Sequence, residues 1–171
     1  VKNLTFSDAG SPPVIAMSLG MTIMTIDSVY NAKILDFAGN IGRIGHLDAP
    51  DGQAKAHSKL CGSTVSVDVK IEDGVVVDYA QDVKACALGQ ASAGILAKNV
   101  IGCSLEELQT VKAEMLAMLK ENGAAPSGKF EELKFLEPVR EYRARHASTM
   151  LPFDAVVEAF EKALAGEKSV A

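Results

Sequence analysis

Two places in this chain gather residue types able to bind soft metals or attack electrophiles. The first is a pair of cysteines at element junctions, in Leu60-Cys61-Gly62-Ser63 and Lys84-Ala85-Cys86-Ala87. The second is the stretch Ala-Arg-His-Ala-Ser-Thr-Met-Leu over residues 144–151, ahead of an apolar helical pattern. A thiol at a helix N-terminus, as expected for Cys86, feels the positive end of the helix dipole, which favours thiolate, the metal-binding and nucleophilic form. The alternative is a pair of buried, inert thiols. In the second stretch the imidazole of His146 suits iron or zinc. Residues 144–151 can therefore be read as a catalytic cluster, a metal-binding loop or a helix cap.

The elements that must position these groups follow from periodicity. A first helix is expected over about residues 28–38, ended by Gly39, followed by a long polar loop with at most one short strand. Val65, Val67, Val69 and Ile71 alternate with Ser66, Asp68 and Lys70, the pattern of a half-buried strand. Glu72-Asp73-Gly74 supplies a hairpin turn, and the return strand begins at Val75–Tyr79. The hairpin carries the chain away from Cys61 and back towards Cys86. The helix after Cys86 has small residues Gly89, Ala93 and Ala97 at four-residue steps, a row that admits close approach of another element. Ser104 with Glu107 forms a capping box for a helix striped with Leu105, Leu108, Val111, Met115 and Leu119, stopped by Gly123. The last helix carries Phe153, Val156, Val157, Phe160 and Leu164 and ends near Gly166; Thr149 is its expected N-cap, with Pro152 at the third helical position. Ser148 and Arg145 are then free to face a site. Strands and helices come in separate runs, so the expected class is α+β: a small antiparallel sheet of about three strands, packed by an N-terminal helix and several C-terminal helices.

Composition agrees with a folded domain. The chain has 171 residues, 48% hydrophobic and 23% charged, enough for one ordinary core and few for two. Residues 1–26 are expected to be an unstructured lead-in, with the natural start nearer Met21 or Met24, and residues 27–167 one domain. A net charge of −5 without a basic block argues against a nucleic-acid surface. The apolar run from Val14 to Ile26 is too short to span a bilayer. Three cysteines make an odd count, which fits free thiols of a reducing cytoplasm better than a disulfide framework.

The segment "CGSTVSVDVKIEDGVVVDYAQDVKACALGQASAGILAKNVIGCSLEEL" resembles the U-type iron–sulfur cluster scaffold family, comprising IscU, SufU and the N-terminal domain of NifU. Cys61-Gly62 matches the family's first cysteine, Cys86 its second, and Gly102-Cys103-Ser104-Leu105-Glu106-Glu107 its helix-to-helix junction, with Cys103 where the family has lysine. The resemblance spans roughly residues 28–165. Two positions depart from it. Ser63 stands where the family has the Asp of Cys-Gly-Asp, and Ser148 where it has the third cysteine; the loop length before that point is closer to SufU than to IscU. The resemblance implies a scaffold or carrier that takes sulfur from a cysteine desulfurase, holds an iron–sulfur cluster, of the [2Fe–2S] kind and transient, and passes it to recipient apo-proteins. It implies a transfer protein, not an enzyme of small-molecule turnover, though sulfurtransferase-like activity is compatible with it.

The implied donors are Cys61 and Cys86, with His146 as the replacement third ligand and Ser63, Ser148 and Arg145 as weaker candidates. His57 is a further imidazole near Cys61. Alternatively, two cysteines from each of two chains supply the four thiolates of a cluster bridging a homodimer. The competing readings are a zinc-dependent SufU-like sulfur acceptor, and a hydrolase with Cys86 as nucleophile and His146 as base.

Overall fold

A computed structural model describes residues 29–170, with side chains described to residue 166. The expected lead-in over residues 1–26 lies outside the described residues, as does the expected helix start at Ser28. Helix α1 spans Ala32–Gly39 and begins later than the periodicity suggests, because Asn31 is the cap: its side-chain oxygen accepts from the amides of Lys33 and Ile34, both at 3.0 Å.

Three antiparallel strands follow, β1 (Gly52–His57), β2 (Thr64–Glu72) and β3 (Val75–Lys84), in the spatial order β1-β2-β3. The tight β2–β3 turn has Asp73 and Gly74 both at positive φ, 52° and 77°, the twist-matched geometry of a two-residue hairpin. Val65, Val67, Val69 and Ile71 are buried as the alternation predicts. On the opposite face Asp68 is buried too, against expectation. The loop before β1 folds over it: the Asp68 carboxylate accepts from the Leu47 amide at 3.0 Å and from Gln53 Nε2 at 3.0 Å, with His46 Nδ1 at 3.3 Å. Those donors make the burial of a carboxylate tolerable.

Helix α2 (Ala87–Asn99) is buried along most of its length, and its small residues are where other elements come close. A Cβ at Gly94 would lie 2.7 Å from the Phe37 carbonyl oxygen, and one at Gly89 3.1 Å from that of Ser148. Helix α3 (Leu105–Lys120) has the expected capping box, with the Glu107 amide donating to Ser104 Oγ at 3.2 Å and the Ser104 amide to Glu107 Oε2 at 2.8 Å. It ends before Gly123, with Asn122 taking the left-handed conformation at φ 53°. A 3₁₀ segment, Gly128–Glu141, buries Phe130, Leu133, Leu136 and Val139. Their three-residue spacing matches the three residues per turn of that helix type.

Helix α4 runs from Arg143 to Val170, and this corrects the cap assignment. Thr149 is inside the helix, not at its N-cap, and the helix continues past Gly166. Pro152 sits inside the helix, where its missing N–H removes the donor to the Ser148 carbonyl; hydroxyls bond other carbonyls of the same turns. Thr149 Oγ1 and Ser148 Oγ both donate to the Arg145 carbonyl, at 2.8 and 3.0 Å, and Ser92 Oγ donates to the Thr149 carbonyl at 2.7 Å. Phe153, Val156, Val157 and Phe160 of α4 are buried in the core shared with β1 and β2.

Candidate functional site

The hairpin register brings the two cysteines to the same end of the sheet. Thr64 pairs with Lys84 at the open end of β2–β3, so Cys61 lies three residues before this pair and Cys86 two residues after it. Both therefore emerge at the same sheet end. Cys86 is the half-buried N-cap residue of α2, and its side chain makes no capping bond, which leaves the sulfur available. Cys61 sits exposed on the β1–β2 loop. That loop closes on itself: the Gly62 amide donates to the Ser58 carbonyl and the Ser58 amide to the Ser63 carbonyl, both at 2.9 Å, with Gly62 at φ 70°. Glycine is suited to that left-handed turn.

Two serine hydroxyls attend the Cys61 sulfur. Ser63 Oγ lies at 3.0 Å and Ser58 Oγ at 3.4 Å, and both serines are buried. The thiol donates to an oxygen when protonated; once ionised it accepts from the hydroxyls. Desolvation pushes the Cys61 pKa up, but the two hydroxyls, the Ser63 amide and the Arg145 guanidinium outweigh it and bring it down to about 7. Ser58 was not recognised as part of the site from sequence. Its spacing, three residues before Cys61 across a turn, is the signal that could have shown it.

The third contributor is the first turn and a half of α4. The Cys86 thiol donates to Ser148 Oγ at 3.5 Å, and Ser148 is fully buried. Arg145, three residues earlier on the helix, directs its field at Cys61. Cys61, Ser63, Arg145, Ser148 and Cys86 thus belong to one neighbourhood. His146 does not join it. Its ring is buried on another flank of α4, with Nε2 3.1 Å from each of the Val139 and Arg140 carbonyl oxygens. Those two acceptors make Nε2 the protonated nitrogen, which cannot coordinate a metal. His57 is exposed at the end of β1, paired across the sheet with Thr64. Cys103 is buried elsewhere, its thiol donating to the Asn99 carbonyl at 3.3 Å beside Lys129 Nζ at 3.4 Å; burial pushes its pKa up.

Among the described residues no three His, Cys, Asp or Glu side chains form a metal-ligand group. The donor set at the sheet end is two thiols and neutral hydroxyls, half of the four thiolates that a [2Fe–2S] cluster takes. Among the same residues no helix is long and apolar enough to cross a membrane.

Comparison with known proteins identifies the family of the chain. The NifU-like N terminal domain family matches residues 29–146. A crystal structure of a nitrogen-fixing NifU-like protein (N-terminal) from Brucella abortus is 56% identical, covers 82% of this chain and 97% of its own, and superposes with a TM-score of 0.80. The iron–sulfur cluster assembly scaffold protein IscU of Thermotoga maritima is 27% identical over 81% of this chain and 97% of its own length. A structure described as a SUF-system scaffold protein from Fervidobacterium islandicum, at 18% identity, covers 80% of this chain and 99% of its own; its TM-score of 0.72 shows a shared fold. The chain belongs to the family of NifU-like N-terminal domains.

Proposed function

We propose that this chain is an iron–sulfur cluster assembly scaffold whose cargo is held through the thiolates of Cys61 and Cys86. Family membership supports the role, and one observation carries the site: the β2–β3 register brings both cysteines to one end of the sheet. As a scaffold it receives sulfur from a cysteine desulfurase and hands the assembled cluster to recipient apo-proteins in the cytoplasm. Its work is binding and transfer, not small-molecule turnover.

With Ser63 and Ser148 in place of ionisable ligands, each chain supplies two thiolates. Two chains together supply the four of a [2Fe–2S] cluster, so the cargo-bearing unit is a homodimer. A site with neutral hydroxyls in the remaining positions holds its cargo loosely, which suits onward transfer. A zinc ion is the alternative occupant, under the same donor limits.

The sulfur-acceptor reading has one specific observation in its favour, the low pKa of Cys61. The Cys61 thiolate attacks the outer sulfur of the desulfurase persulfide and the S–S bond breaks. Its electron pair leaves on the donor thiolate, and Cys61 retains the persulfide. Nothing supports the hydrolase reading: the Cys86 thiol is bonded to Ser148, and His146 Nε2 to the Val139 and Arg140 carbonyls on another flank of α4.

The test is anaerobic reconstitution with ferrous iron and sulfide, followed by absorption spectra, iron and sulfide analysis and native mass. Visible charge-transfer bands on a dimer, lost in Cys61→Ala and Cys86→Ala, are expected. Unchanged bands in Cys86→Ala would remove that residue from the site.

A further inference from the structure

On the flank of α4 that turns away from the two cysteines lies an open groove of about 1170 Å³, between the end of α3, the end of the 3₁₀ segment and the first turns of α4. We propose that this groove is a docking site for an acidic segment of a protein partner, one in which glutamate or aspartate side chains flank a leucine-like residue.

Charge makes the first argument. The chain carries a net −5, yet the groove is lined by Lys112, Lys120, Arg140 and Arg143 against only Glu141 and Asp154. Lys112 is already paired with Asp154 at 3.2 Å, and Arg140 with Glu137 at 3.3 Å. Lys120 and Arg143 are exposed and have no carboxylate partner among the described residues. A local excess of cations on an acidic protein steers and orients an acidic partner.

The interior of the groove makes the second. Arg140 keeps only 19% of its side chain exposed, and its Nε is buried with no protein acceptor in reach. Its Nη2 is held by the Gly123 carbonyl and by Glu137, each at 3.3 Å, which fixes a cation in the groove wall, and a carboxylate is the natural partner of a guanidinium. His146 also lines this groove, so the imidazole expected among the cysteines faces the cationic flank instead.

Shape and polarity make the third. Leu116 remains 39% exposed, with Met150 beside it in the lining, so the groove offers an apolar seat between its cations. A small anion has no use for that seat. A peptide with an apolar residue between carboxylates uses both features. Because α4 also carries Arg145 and Ser148, a partner held in the groove sits on the back of the helix that forms one wall of the cysteine site.

The test uses the full chain and a fluorescein-labelled peptide, Glu-Glu-Leu-Glu-Glu-Leu-Glu-Glu, followed by anisotropy and by amide chemical shifts. Expected are shifts centred on Lys120, Asn122, Arg143 and Ala147, and roughly tenfold weaker binding in Lys120→Glu/Arg143→Glu. Cys103 should stay protected from alkylation without denaturant in that variant, which shows that it is folded. Binding should weaken as sodium chloride rises from ~0.05 to ~0.3 M. Equal binding of the matched glutamine peptide would overturn the proposal. So would displacement by inorganic phosphate with the same amides responding, which would make this a small-anion site, or shifts that depend on protein concentration alone, which would make it a contact between copies.

Discussion

The thiol of Cys86 donates to the hydroxyl of Ser148 at 3.5 Å, across 62 positions of sequence, and Ser148 in turn donates to the Arg145 carbonyl at 3.0 Å. The serine oxygen therefore stands beside one of the two thiols proposed to hold the cargo. Ser148→Cys is expected to convert a neutral neighbour into a thiolate donor with little change in side-chain volume. Affinity for zinc or ferrous iron, read by chelator competition under anaerobic conditions, should rise by on the order of tenfold or more. No gain would mean that the Ser148 side chain is not directed at bound metal.

Cys61 should be the reactive thiol, with a pH profile to match. Its pKa is brought down to about 7 from the ordinary thiol value of 9.0. The thiolate, and with it the alkylation rate, should rise through pH 7 and level off above about pH 8. Ser63→Ala and Ser58→Ala each remove a hydroxyl that stabilises the anion, so both profiles should shift to higher pH. Because Cys61 is exposed, the effect belongs in reactivity and not in folding stability. A midpoint near 9 in the parent protein would remove the hydroxyls and Arg145 as its cause.

The fold is more legible in the sequence than the site is. The hairpin, the capping box and the small-residue helix were legible because each is a local pattern: alternation, a three-residue spacing, a four-residue row. The burial of Asp68 was not, because its partners come from His46 and Leu47 in a loop with no periodicity and from Gln53 on the neighbouring strand β1. That Cys61 and Cys86 emerge at one end of the sheet followed from hairpin geometry, and the register agrees. The direction of His146 did not follow, since two residues along an α-helix turn a side chain by about 200°. That rotation separates His146 from Ser148. Thr149 is not a cap because the helix already begins at Arg143 and carries Pro152 within it, so the proline does not mark the helix start.

Cys103 should behave as the opposite of Cys61. It is fully buried, and burial raises its pKa, with Lys129 only partly offsetting this and Glu107 adding to it. Timed labelling with a thiol reagent at neutral pH should modify Cys61 first and Cys86 more slowly. Cys103 should react only when denaturant is added. The order is read by peptide mass mapping, and rapid labelling of Cys103 in folded protein would contradict its place in the core.

Ser92 tests the packing behind the site. Its hydroxyl is buried in α2 and donates to the Thr149 carbonyl of α4 at 2.7 Å. That carbonyl lies one turn before Phe153, beside Pro152, where the proline ring crowds the helix and the missing proline N–H removes a donor to Ser148. Ser92→Ala leaves the Thr149 carbonyl without the hydroxyl and opens no cavity beyond one oxygen. The expected loss is about 1–3 kcal/mol in urea unfolding, with an unchanged m-value. The same variant should loosen α4 around Ser148, so exchange of the backbone amides at Phe153 and Asp154 should speed up while those of α3 stay protected. Ser92→Thr keeps the hydroxyl but adds a methyl in a buried helix contact, so it should recover the exchange protection only in part. If Ser92→Ala matched the parent in both stability and exchange, the hydroxyl would have no part in holding α2 against α4.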